Sequence, residues 1–146
     1  MKININVDSA YAETEITINC AVLNDELENI IATLRTLDNK LTGVKNGRTY
    51  ILNSAEILYI DTVDKKTFLY GSRDVYETSL KLYELEELLS VNDFFRAGKS
   101  IIINFNKIKS LKSDIDGRFI VMMENGEKLI VSKQYAPFIK NKLGRA

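Results

Sequence analysis

The sequence predicts a mainly β chain, α+β overall, built from short antiparallel strands with a few short helices. Three observations carry this. Apolar and polar residues alternate in short runs, as in Lys2–Val7 and Glu15–Cys20. The turn dipeptides Asn46-Gly47, Asp116-Gly117 and Asn125-Gly126 punctuate the chain. Helical spacing occurs in only three stretches, Leu23–Leu37, Leu80–Leu89 and Lys133–Leu143.

Taken in order, the two N-terminal runs read as half-buried strands joined by the polar loop Asp8–Glu13. Leu23, Leu27, Ile30, Ile31, Leu34 and Leu37 then form one apolar stripe on a helix. Asn24 suits its N-cap, and Asp25, Glu26 and Glu28 suit the positive end of its dipole. Asp38–Lys40 is the expected joint between an extension, residues 1–42, and a main domain, residues 43–146. Leu41–Leu52 predicts a hairpin about Asn46-Gly47, and Ile57–Ile60 a buried strand. Asp61–Lys66 is the next expected hairpin tip, with Thr67–Tyr70 returning and Val75–Thr78 following. Ser79 is the expected cap of the second helix. Strands are expected again at Lys109–Leu111, Arg118–Met123 and Lys128–Val131, before a last helix capped by Ser132.

Composition narrows the function classes. The chain has no histidine, which removes the commonest general base and metal ligand. No phosphate loop, CxxC pair or HExxH motif occurs, so no cofactor, metal site, catalytic residue or small-molecule substrate is expected. The single cysteine, Cys20, permits no internal disulfide and fits a reducing cytoplasm. No apolar run approaches the ~20 residues of a membrane span, and the alternating N-terminus lacks the apolar block of a signal peptide.

The net charge of zero hides an asymmetry. Residues 1–42 carry three cations and seven acids, whereas residues 95–146 carry eleven cations and four acids. A basic C-terminal third is the electrostatic footprint of a polyanion partner.

The densest apolar stretch, Phe94–Ile108, has Arg96 and Lys99 set around Gly98. Charges so placed either solubilise a loop beside a β-core or present cations to phosphate and base edges. Asn104, on an apolar strand, reads as a residue that caps backbone rather than one that reads bases. In the last helix, Lys133 at the first position opposes the dipole, and Pro137 about one turn in removes a backbone donor. Such violations mark either an anion site beside free N–H groups or a plain exposed lysine.

The phrase LYELEELLSVNDFFRAGKSIIINFNKIKSL, followed by DGR and then MENGEKLIVSKQYAPFIKNKL, resembles the LytTR family of bacterial DNA-binding domains. The resemblance extends upstream through ILYIDTVDKKTFLYGSRDVYETSL and covers roughly residues 43–143. It implies an all-β arrangement of short sheets that meets double-stranded DNA through loops rather than a recognition helix. Three contact regions are implied: the tip with Lys65, Lys66 and Thr67; the segment of Arg96, Lys99 and Ser100; and the helix start at Lys133 and Gln134. A strand of nine or ten residues spans ~30 Å, so loops at opposite ends of a meander could reach successive grooves ~34 Å apart. Lysine stands where family members carry arginine or other polar residues, so these positions imply contact without implying base identity. The chain is similar to stand-alone members lacking a receiver domain, some of them controlled by a membrane-protein inhibitor. The expected function is a cytoplasmic, sequence-specific transcriptional regulator acting as a homodimer. The alternative is an interaction module in which residues 1–42 bind a partner.

Overall fold

Alternation along the strands decides the architecture. The computed structural model describes residues 1–37 and 39–144 and, at positions 35–37, the backbone alone. In chain order the elements are helix α1 (Asp25–Leu37), strands β1 (Lys40–Lys45), β2 (Arg48–Asn53), β3 (Tyr59–Val63), β4 (Lys66–Tyr70) and β5 (Val75–Thr78), and helix α2 (Leu82–Leu89). There follow β6 (Phe94–Gly98), β7 (Ile101–Asn104), β8 (Ile108–Ser113), β9 (Phe119–Met123), β10 (Lys128–Val131) and helix α3 (Ala136–Gly144).

Seven strands form an antiparallel sheet in the order β2-β1-β5-β4-β3-β7-β6, and the other three form a second sheet, β10-β9-β8. Because successive side chains leave a strand on opposite faces, the large sheet feeds two cores. Ile60, Leu69, Phe94 and Ile102 pack against Leu82, Leu85 and Leu89 of α2. Their neighbours Tyr59, Phe95, Ala97 and Ile103 pack against Phe119, Val121 and Met123 of the small sheet and Ala136 and Ile139 of α3. The mainly β, α+β class is therefore what the chain adopts.

Several local expectations are met for the anticipated reasons. Asn24 accepts from the Leu27 N–H at 2.9 Å and caps α1. Asn46 and Gly47 both have positive φ in the β1–β2 turn. Buried Asn104 donates to the Ile57 carbonyl at 2.9 Å and accepts from the Asn106 N–H at 3.1 Å, as a backbone-capping amide should.

Others are corrected. The two N-terminal runs form no strands, so the expected ββα extension reduces to α1 preceded by an exposed arm. Alternation makes a run competent for a sheet but supplies no partner, and neither run pairs with the other. β3 continues through Asp61–Val63 and turns only at Asp64 and Lys65, both with positive φ. Helix α2 starts two residues later than expected because the Glu84 carboxylate accepts from the Lys81 N–H at 3.1 Å. Helix α3 starts at Ala136, after a turn in which the Tyr135 N–H donates to the Ser132 carbonyl at 3.0 Å. Both supposed violations therefore vanish. Lys133 precedes the helix, and Pro137 sits in its first turn, where the missing N–H costs nothing. The expected joint begins on Asp38, which lies outside the described residues.

Candidate nucleic-acid interface

Most of the Phe94–Ile108 stretch folds as the β6–β7 hairpin, Phe94 to Asn104, whose connection carries Lys99 and Ser100 into solvent. The pairing of β6 with β7 shifts register between Arg96 and Gly98, so the chain bulges as it enters the loop. Arg96 stabilises that bulge. Its Nε donates to the Gly98 carbonyl at 2.6 Å, a terminal nitrogen donates to the Lys99 carbonyl, and the other lies 3.2 Å from the Glu86 carboxylate. The guanidinium is thus committed to the loop backbone and α2. Arg96, expected among the DNA contacts, is the residue that positions the loop in this structure.

The β3–β4 hairpin stands beside this loop. The Thr62 N–H donates to the Ser100 carbonyl at 2.9 Å, two residues before the Asp64–Lys65 turn. Lys65 and Lys66 are exposed, and Lys66 has only the exposed Glu77 carboxylate nearby, at 3.9 Å. Such a pair is worth little in water. Thr67 is only 6% exposed, and its hydroxyl lies 3.4 Å from that of Thr62. Its position places the side chain on the covered face of the sheet, where it packs rather than faces solvent.

The third region approaches from the other side. The Ser132 N–H donates to the Ala97 carbonyl at 2.9 Å, which ties the turn before α3 to the end of β6. Lys133 and Gln134 follow at once and are exposed. The Lys133 stem runs over Gly117 so closely that a Cβ there would lie 3.3 Å from its Cγ. The Asp116-Gly117 turn is therefore part of the same surface, a neighbour that no sequence spacing pointed to.

Two backbone bonds, Thr62–Ser100 and Ala97–Ser132, thus gather the three regions at one end of the large sheet, with the Lys99 loop in the middle. The opposite-ends geometry is not what occurs, since the strands involved run four or five residues and their loops share an end. Lys65, Lys99 and Lys133 make no ion pair among the described residues, whereas Arg96, Arg118, Lys107 and Lys142 all do. Behind the surface, Tyr70 donates to Asp61 Oδ2 at 3.2 Å. Burial raises the Asp61 carboxyl above its ordinary range and helps push the Tyr70 phenol to about 12.

No cluster of metal-ligating side chains occurs among the described residues, and no helix is long and apolar enough to cross a membrane.

The model of the LytTr DNA-binding domain family matches residues 47–144. The solved LytTr DNA-binding domain of a protein described as a methyl-accepting/DNA response regulator from Bacillus cereus superposes with a TM-score of 0.67 at 29% identity. That likeness covers 73% of this chain and 97% of the other. Two uncharacterized HTH-type transcriptional regulators of Staphylococcus aureus, from strains MSSA476 and MW2, are each 27% identical over 145 residues, covering 98% of both chains. The family match spans well over half of the sequence and takes in the cation-bearing end just described and every strand but β1, and on that ground the chain belongs to the LytTR family of DNA-binding domains.

Proposed function

We propose that this chain is a sequence-specific transcriptional regulator that grips double-stranded DNA with the loop end of its large sheet. The observation that carries the reading is the pair of backbone bonds, Thr62–Ser100 and Ala97–Ser132, which set Lys65 and Lys66, Lys99, and Lys133 side by side on an exposed end. Four ammonium groups so placed neutralise phosphates and release counterions, which supplies affinity. Ser100 and Gln134, which both donate and accept hydrogen bonds, supply the base-edge chemistry that lysine alone lacks. Hairpin, loop and turn, gathered at one end, meet one face of a single duplex in that order. The protein works as a homodimer, with residues 1–42 serving association rather than DNA contact.

Selection of bound duplexes from a random pool by the purified protein tests this. A recurring motif should be enriched, and the Lys99→Ala, Lys133→Ala double variant should fail to enrich it. Recovery of no motif by the unaltered protein contradicts the proposal.

A further inference from the structure

The first 24 residues belong to no helix or sheet, and every one of them is exposed. Ile3, Ile5, Val7, Ile16, Ile18 and Val22 are all more than a third exposed, Val7 at 94%. Apart from a turn at Asp8–Tyr11, this arm makes no backbone hydrogen bond up to Cys20 among the described residues. Its composition is that of a half-buried strand, yet its own domain offers it nothing.

The large sheet has a complementary deficiency. β2 is an end strand, with six regular pairs to β1 and an unpaired outer edge. Ile51 at its centre is 67% exposed, and the strand has neither a proline nor a bulge to discourage pairing. The β1–β2 hairpin carries Lys40, Lys45 and Arg48 and no acid. The arm carries Asp8, Glu13 and Glu15 against a single Lys2.

We infer that the arm of a second copy of this chain adds as an extra strand to the β2 edge, and that two copies exchange arms reciprocally. Main-chain hydrogen bonds supply affinity in such strand addition, and alternate side chains supply fit. Reciprocal exchange uses the same two patches on both copies and closes the assembly at two. A standard interface takes about 800 Å² from each partner. Ile16 and Ile18 of the arm, with Ile51, contribute apolar area to that contact, and the opposite charges of arm and hairpin favour the pairing. Helix α1 joins arm to domain and lies against β1, the strand next to β2.

Light scattering on the full chain over a concentration series, without DNA, tests this. The unaltered protein should be a dimer. Ile51→Lys and, separately, Ile18→Lys should raise its dissociation constant about tenfold or more, with circular dichroism and thermal unfolding of the domain unchanged. Ile18 lies outside every element, so its variant stays informative even if Ile51→Lys misfolds. Mild oxidation of Thr49→Cys, Ile51→Cys and Asn53→Cys variants should join at least one of these positions to Cys20 of another chain. The linked dimer should disappear when Cys20→Ser is added. A monomer at all concentrations, a link closed within one chain, or a Cys20–Cys20 link with none to β2 overturns the inference. The inference rests on the association role proposed for residues 1–42, which a monomer would also remove; DNA plays no part in the assay, so the DNA-binding reading is tested separately.

Discussion

The guanidinium of Arg96 donates to the backbone carbonyl of Lys99 and so fixes the peptide that carries the exposed lysine into solvent. A cation that the sequence offers as a ligand supports the next one in the structure. Lysine cannot reproduce the planar fork that bonds two carbonyls and a carboxylate at once. Arg96→Lys should therefore cost about 1–3 kcal/mol of stability, the scale of lost hydrogen bonds to a charged group. It should also weaken DNA binding through loss of loop order. Combined with Lys99→Ala, the binding losses should sum to less than their separate values, measured by a double-mutant cycle.

Lys99→Ala and Lys133→Ala should each weaken binding to the selected duplex by about 1–3 kcal/mol. Both residues are exposed and make no ion pair among the described residues, so denaturant midpoints should hardly move. Thr67→Val provides the contrast. Its hydroxyl is buried against Thr62, so DNA affinity should stay within twofold while stability falls by about 1 kcal/mol. A fluorescence-anisotropy titration beside a urea melt separates these outcomes.

Two carboxylates should impose opposite pH dependences on stability. The Asp93 carboxyl is held below its ordinary value, chiefly by its hydrogen bond to Lys142. Its contribution is present above the unfolded value and is lost as pH falls through the lowered folded one. Asp93→Asn, tolerated at the positive φ of this position, should cost about 0.5–1 kcal/mol at pH 7 after allowance for solvent screening. It should cost nothing in strong acid. The Asp61 carboxyl is raised by burial, and its Oδ1 lacks a partner among the described residues. A raised folded value penalises the ionised form, so the cost of Asp61 appears as pH climbs from the unfolded value through the folded one. Asp61→Asn should relieve that cost at pH 7 and change nothing at pH 3, as followed by thermal unfolding across pH.

What could be read from the residues alone depended on how local the cause was. Asn104 was legible because an amide inside an apolar strand must find backbone partners. Asn46-Gly47 was legible because two successive positive φ angles select those residues. The role of Arg96 was not, because Glu86 lies ten residues away and the bulge that turns the carbonyls of Gly98 and Lys99 inward has no sequence mark. Nor was the start of α3, where Ser132 was the expected cap. The competing Ser132–Ala97 bond to β6 holds the chain in a turn until Ala136. The N-terminal runs show the reverse case, a strand pattern whose partner lies outside its own domain in our proposal. The gathering of Lys65, Lys66, Lys99 and Lys133 was implied by family resemblance and acquires a physical basis only in the two backbone bonds that stitch the sheet end together.

The most direct test of that gathered end is the salt dependence of binding to the selected duplex. Four phosphate contacts per protomer predict a slope of log affinity against log salt of about −3.6, at about −0.9 for each contact. Each of Lys99→Ala and Lys133→Ala should reduce that slope by about one. Tight binding that hardly responds to salt, or a slope that neither variant changes, would contradict the account.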